Sequence, residues 1–567
     1  MTETSPHKPI VEWPDVRVKM PDDVELSLRI WMPEDAAANP VPAILEHLPY
    51  RKRDGTIARD EVTHPYFASQ GYACIRVDMR GNGDSQGLMY DEYEQQEWDD
   101  ALSVMDWARA QKWCNGLWGM MGISWGGFNC LQLAALQPKG LKAVISLCST
   151  TDRYADDIHY KGGCMLGENL GWAAQMLAYS SRPPDPDVVG EGWREMWLER
   201  LEAQPFLLEP WLTHQTRDGY WQHGSICEDY EALDAAVLSI GGWHDGYRNT
   251  PALLVENISA PVKAIVGPWN HKYPHLAGPE PRIGFLTEAL RWWDRWLQAA
   301  PTGVEDDPAQ RLYVMDSICP ERWVTARPGR WIGLQKPLAP TRRHLGASGK
   351  LVDADNSFEI DLLSPEQCGS TGGEYFPFAF GPELPADQTP DDAHSLCFDG
   401  DALTEDTELI GAPIARIGLA PKGTFGQIAV RLCDLRPDGT SAFIAHGFLN
   451  LTHRDSHTHP QALVPGEAIE VLVKLDQCAY RLPAGHRLRV AISTAFWPFI
   501  WPASQNAGIT VTGGHIDLPM RSAESGDTIA LPKPDETTGW KHSVLRSATM
   551  ERKHWQEDDG TFVTQID

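Results

Sequence analysis

Basic residues are scarce in this chain. Lysine and arginine number 49 against 78 aspartates and glutamates, a net charge of −29 over 567 residues. Nucleic acids and anionic membranes are gripped through basic patches, so the balance argues against both. No apolar run is long enough to span a bilayer. The opening residues, Met1 to Pro9, lack the apolar core of a secretory signal, and a cytoplasmic location is expected. The 11 cysteines are odd in number and scattered, without a Cys-x-x-Cys pair, so neither a disulfide framework nor a structural zinc site is expected. Cys74, Cys130 and Cys148 sit in apolar runs and read as small buried hydrophobes. Internal repeats and low-complexity stretches are also missing.

What is present points to a globular protein of several domains. A hydrophobic content of 42% and 23 tryptophans supply ample apolar surface, and the length implies roughly two to four domains. Residues 1–150 read as two alternating strands followed by strand–helix alternation. Val16–Met20 and Val24–Trp31 flank a turn at Asp22-Asp23, then come Pro42–His47, Ala73–Asp78, a helix over Glu94–Ala110 and a strand over Leu141–Cys148. Such alternation predicts a mostly parallel sheet with helices on both faces. Residues 151–228 lose the strand rhythm and read as a helical cap, broken by Pro183-Pro184-Asp185-Pro186. Over residues 229–301 the sheet resumes with Ala236–Ile240 and Val262–Val266, and a helix follows at Phe285–Leu297. Residues 302–567 carry short alternating segments such as Gln427–Leu432, Ile469–Leu475 and Arg487–Ser493, which predict a β-sandwich.

Gly-x-Ser-x-Gly occurs twice, at Gly122–Gly126 and at Gly83–Gly87. Only the first is an apolar run that passes straight into an apolar, alanine-containing run, the layout of a serine on a sharp strand-to-helix turn. Gly122 and Gly126 leave room for that turn, and the helix behind it aims N–H groups at the serine. Ser85 lies in a loop with no helix behind it. Ser124 is therefore the candidate nucleophile.

A serine hydroxyl needs a base, and the base an orienting carboxylate, in the chain order Ser, acid, His. Asp245 follows the strand ending at Ile240 and His271 follows the strand ending at Val266, 121 and 26 residues further along in turn. The first gap accommodates the cap and the second accommodates one helix and one strand. Asp245 could instead cap the next helix, and His244 and His275 compete with His271. The oxyanion hole calls for the backbone N–H of Trp125 and a donor from the loop after His47. That loop offers the Tyr50 hydroxyl, although a packed aromatic is an equal reading of Tyr50. No cofactor is expected.

Pro49-Tyr50, Asp78–Ser85, Gly122–Gly127, Gly242–Gly246, Gly267–His271 and Pro483–Arg489 together resemble the cocaine esterase and X-Pro dipeptidyl-peptidase family over nearly the whole chain. The resemblance implies an α/β-hydrolase core, an inserted helical cap and a C-terminal jelly roll. It implies a Ser124–Asp245–His271 triad with Tyr50 and Trp125 as the oxyanion hole. Lactic X-Pro peptidases carry an extra N-terminal helical domain, whereas the core strands here begin near residue 16. Related α-amino-acid ester hydrolases place acidic residues two and three positions after the triad aspartate, where this chain has Tyr247 and Arg248. Asp156 and Asp157 remain as candidates to hold a substrate amine, against a plain solvated face. Trp172, Tyr247 and Trp497 are candidates for an aromatic acyl pocket, or plain core.

The expected activity is hydrolysis of carboxylic esters through an acyl-enzyme. The alternatives are an X-Pro dipeptidyl-peptidase or α-amino-acid ester/amide hydrolase and, from another class, a non-catalytic binding protein. The expected partner is a small-molecule ester or amide, and a homo-oligomer is compatible with the sequence. His453, His457 and His459 raise a metal site as a rival reading, in which 457 and 459 share one face of a strand; a polar surface loop is the simpler one.

Overall fold

The computed structural model describes residues 7–378, 381–523, 526–536, 543, 545–547, 549 and 551–567. Residues 1–6, part of the run read for a secretory signal, lie outside the described residues. Among the described residues no helix is long and apolar enough to cross a membrane.

An antiparallel pair opens the chain, β1 (Ile10–Lys19) and β2 (Glu25–Pro33). Alternation follows with β3 (Val41–Leu48), α1 (Ile57–Ser69), β4 (Ala73–Asp78), α2 (Gln95–Arg109), β5 (Cys114–Ile123), α3 (Trp125–Ala135) and β6 (Leu141–Leu147). The insertion begins with a hairpin, β7 (Tyr160–Lys161) and β8 (Cys164–Met165). Its helices are α4 (Glu168–Ser180), α5 (Pro186–Val189), α6 (Trp193–Ala203), α7 (Leu208–Thr213) and α8 (Gly219–Gln222). The core resumes with β9 (Ala236–Gly242), α9 (Thr250–Asn257), β10 (Val262–Gly267), α10 (Phe285–Leu297) and β11 (Gln310–Asp316).

These strands form one sheet in the order β1-β2-β4-β3-β5-β6-β9-β10-β11, and neighbours are parallel from β4 to β11. Burial on both faces explains the near-continuous apolar runs. Ile44, Met121, Ile145 and Leu238 join one core with α1 and α10. Their neighbours Leu45, Met120, Val144 and Val237 join the opposite core with α2, α3 and α9. Each such aliphatic side chain contributes roughly 1.5–3 kcal/mol. Parallel pairing also sets the ends of β3, β5, β9 and β10 along one edge of the sheet, where ligands bind in open α/β sheets.

Helix α1 had no signature in the sequence. It carries Pro65 inside it and turns Arg59, Asp60 and His64 inward rather than an apolar stripe. The first sheet continues past residue 302. β11 pairs in parallel with β10, and Cys478–Leu482, Thr407–Gly411 and Met520–Ser522 extend the same sheet. Among the described residues, a second sheet of ten strands includes Ile414–Pro421, Gln427–Leu435, Ile469–Lys474 and Arg487–Ser493. Leu409 and Tyr480 of the first sheet share a core with Ile417, Val430 and Ile492 of the second. The architecture is thus an α/β-hydrolase core with an inserted helical cap and a C-terminal β-sandwich.

Candidate active site

Ser124 sits between β5 and α3 with φ 56° and ψ −127°, a left-handed backbone that costs a non-glycine residue energy. Close packing holds it there. The Ser124 N–H donates to Leu147 O at 2.9 Å. A Cβ on Gly122 would lie 2.5 Å from the carbonyl carbon of Gly126, and one on Gly127 would lie 2.6 Å from Leu147 O. The turn therefore needs glycine on either side of the serine. Ser85 is different: its hydroxyl donates to Asp78 O at 2.5 Å and accepts the Ser27 N–H at 2.8 Å, and it is wholly buried. That serine is a structural brace.

Tyr50 follows β3 and leads into Arg51, itself left-handed at φ 55°. The Tyr50 hydroxyl contacts the Ser124 side chain and the backbone N–H of Trp125. Burial pushes its pKa well above the ordinary tyrosine value, so it keeps the proton it would donate. The structure thus brings together the two donors suggested for an oxyanion. Tyr50→Phe is expected to lower kcat about 10²-fold while leaving the thermal midpoint close to wild type. A near-normal kcat would return Tyr50 to packing alone.

Asp245 and His271 leave the ends of β9 and β10. Nδ1 of His271 lies 3.1 Å from each Asp245 carboxylate oxygen. Burial pushes the Asp245 carboxyl up, but His271, the Cys148 thiol and the Tyr247 N–H more than offset this and hold it below its ordinary value. Cys148 is buried as expected, yet its thiol also contacts the Asp245 carboxylate, which sequence reasoning did not find. The rival histidines lie elsewhere. His244 faces a second cavity with Arg248, Arg327 and His446, and burial holds it well below its ordinary pKa. His275 stacks on Phe285 at 5.2 Å, and burial lowers it to about 3.

Ser124 and His271 open onto one cavity of about 750 Å³. Trp172, Tyr247 and Asp157 line it, together with Glu92, Tyr93 and the loop residues Tyr375, Phe376 and Phe378, none of which had been singled out. The His271 ring lies 4.8 Å from Phe376 and 5.4 Å from Phe378. Trp172 donates its indole N–H to Glu92 at 2.7 Å, and Tyr247 donates its hydroxyl to Asp157 at 2.6 Å. Burial raises the Asp157 carboxyl to about 6. Two expected pocket residues are corrected. Asp156 is drawn away by Lys161 and Asn249, in a network with Asp476. Trp497 packs on Trp501 at 5.1 Å, and Pro498 and Phe499 take the wall instead. Arg248 donates to the Asp245 carbonyl at 2.8 Å.

Cys148, Asp245 and His271 offer donor atoms within 4.8 Å of one another, but the imidazole–carboxylate hydrogen bond already joins two of them. Glu46, Asp60 and His64 form a second such set, in which the guanidinium of Arg59 stands where a cation would. His453 and His457 approach through Nδ1 at 3.3 Å in a short helical turn and a bend, while His459 is exposed, so the strand that the rival metal reading needs at 457 and 459 is not formed.

Fold and geometry together place Tyr50, Ser124, Asp245 and His271 at one sheet edge. The chain belongs to the cocaine esterase and X-Pro dipeptidyl-peptidase family of α/β-hydrolases. Residues 22–273 match the X-Pro dipeptidyl-peptidase (S15 family) profile, and residues 302–552 match the X-Pro dipeptidyl-peptidase C-terminal non-catalytic domain. It is 27% identical over 544 residues to the cocaine esterase of Rhodococcus sp. (strain MB1 Bresler), covering 87% of this chain and 92% of that one. It is 22% identical to a putative Xaa-Pro dipeptidyl-peptidase of Streptomyces avermitilis, covering 81% of this chain and 71% of that protein. A CocE/NonD family hydrolase from Staphylococcus aureus superposes with a TM-score of 0.70 at 16% identity, covering 90% of this chain and 94% of that one. An α-amino acid ester hydrolase gives 0.68 at 18% identity, covering 91% and 97%.

Proposed function

We propose that this serine hydrolase cleaves carboxylic esters through an acyl-enzyme on Ser124. The observation that carries the reading is the meeting of a left-handed Ser124, the Tyr50 hydroxyl and the Trp125 N–H on a cavity that His271, hydrogen-bonded to Asp245, also lines. Ser124 Oγ would add to the acyl carbon as its proton passes to His271 Nε2. The negative charge developing on the carbonyl oxygen would be met by Tyr50 and Trp125. Collapse expels the alcohol, which takes the proton back from His271. A water deprotonated by His271 then releases the acid and frees Ser124.

Support for an ester over an X-Pro amide comes from two sides. The wall beside His271 is aromatic, suited to a small or aromatic acyl group. The cocaine esterase relative is covered to 92% of its length, the Streptomyces peptidase relative to 71%. A second reading, hydrolysis of amine-bearing esters or amides, is favoured by one observation: the acidic Asp157 is among the residues that line the cavity. The test compares kcat/KM for phenyl acetate with that for Gly-Pro p-nitroanilide, in wild type and in Asp157→Asn. Phenyl acetate is expected to be the better substrate, with little change in the variant. Faster cleavage of the anilide, lost in Asp157→Asn, would install the second reading. In that case kcat/KM for the anilide should also rise as pH is raised through about 6, where Asp157 ionises.

A further inference from the structure

Glu97 lies in the first turn of α2, next to the buried Trp98, and its side chain is buried beneath the turn that carries Ser124. One carboxyl oxygen accepts the Trp125 indole N–H at 2.5 Å and the Asn129 amide at 2.6 Å, both from α3. The other accepts the backbone N–H of Tyr93 at 2.9 Å. All three partners are uncharged N–H donors. Asn129 also donates to His47 O at 3.2 Å, at the end of β3 and three residues before Tyr50. Tyr93 is itself left-handed at φ 57°, and its ring stacks on Phe128 at 4.8 Å and tilts against Trp125 at 5.0 Å. A single carboxyl therefore ties together the start of α3, the loop before α2 and, through Asn129, the strand that delivers Tyr50.

We propose that Glu97 is the positioning residue of the oxyanion hole, fixing the Trp125 backbone N–H and the Tyr50 loop in their relative places. The proposal rests on the reading of Tyr50 and Trp125 given above. Burying an acid without a cation is unfavourable, and burial pushes this carboxyl up to about 8 against its three donors. A group of that kind is poor value as mere packing, since an apolar side chain would fill the space without the desolvation. Its geometry is what an apolar replacement cannot supply: two oxygens meeting three fixed donors. Glutamine cannot meet them either, because its amide nitrogen would face an N–H on one side.

The test measures kcat and KM on phenyl acetate, inhibition by phenylboronic acid as a mimic of the tetrahedral adduct, and fluorophosphonate labelling of Ser124. Glu97→Gln is expected to lower kcat about 10- to 100-fold with KM within about threefold of wild type, because the loss is in transition-state geometry. The boronic acid should weaken by the same factor as kcat. Trp125→Phe removes one donor and keeps the backbone N–H, so a smaller loss, about 3- to 10-fold in kcat, is expected. The double variant should be no worse than Glu97→Gln alone. Normal kcat in Glu97→Gln, or a fall in kcat with unchanged boronic acid binding, would overturn the proposal. If Glu97→Gln does not fold, unchanged kcat and inhibition in Trp125→Phe overturns it instead. Absence of wild-type labelling at Ser124 would defeat the reading of the site itself, a result distinct from a labelled wild type with an indifferent Glu97→Gln.

Discussion

Ser124→Ala is expected to lower kcat by about three orders of magnitude or more and to leave the folded structure intact. The serine side chain is small and open to the cavity, so its loss should change chemistry rather than packing. What remains would be the donors at Tyr50 and Trp125 and whatever binding the aromatic wall supplies. Labelling by phenylmethylsulfonyl fluoride should vanish with the hydroxyl. Ser85 cannot substitute, because its hydroxyl is spent between Asp78 O and the Ser27 N–H at zero exposure. Turnover within tenfold of wild type, or labelling that moves to Ser85, would defeat the assignment.

Asp245→Asn is expected to lower kcat by about 10³- to 10⁴-fold with little change in KM. The carboxylate accepts from His271 Nδ1, the Cys148 thiol and the Tyr247 N–H. An asparagine keeps the shape, but its amide nitrogen cannot accept from Nδ1, which favours the wrong imidazole tautomer. Steady-state kinetics decides this. The same substitution should alter acid stability. The folded Asp245 carboxyl lies below its ordinary value, so its contribution is full above the unfolded pKa and is lost as pH falls through the folded one. The variant lacks that part of the acid dependence, which thermal midpoints measured down the acid range would reveal.

Much of the core could be read from the sequence because its strands are buried on both faces and its helices are periodic. The helix expected over Phe285–Leu297 forms over those residues, and the strand at Arg487–Ser493 does likewise. Helix α1 was illegible because it buries an ion-pair network of Arg59, Asp60, His64 and Glu46 where a stripe of leucines would have announced it. Tyr50, Ser124, Asp245 and His271 could be proposed because each follows an apolar strand, and parallel pairing brings those ends to one edge. The rest of the cavity carried no such signal. Tyr375, Phe376 and Phe378 come from an irregular loop beyond the core, and Glu92 and Tyr93 come from the loop before α2. Asp156 and Asp157 show the limit of reading neighbours. Adjacent in sequence, they point to different partners: Asp157 to Tyr247 at the cavity, Asp156 to Lys161 away from it. Cys148 read as a hydrophobe because its run is apolar, and only the packing of β6 against β9 reveals Asp245 beside it.

The proposed mechanism puts the acyl group on one serine, Ser124. Peptide mass mapping of the protein after reaction with a fluorophosphonate tests it most directly. One adduct per chain is expected, on the peptide containing Ser124, with hydrolysis of phenyl acetate lost in proportion to labelling. An adduct on any other residue, or full activity in fully labelled protein, would contradict it.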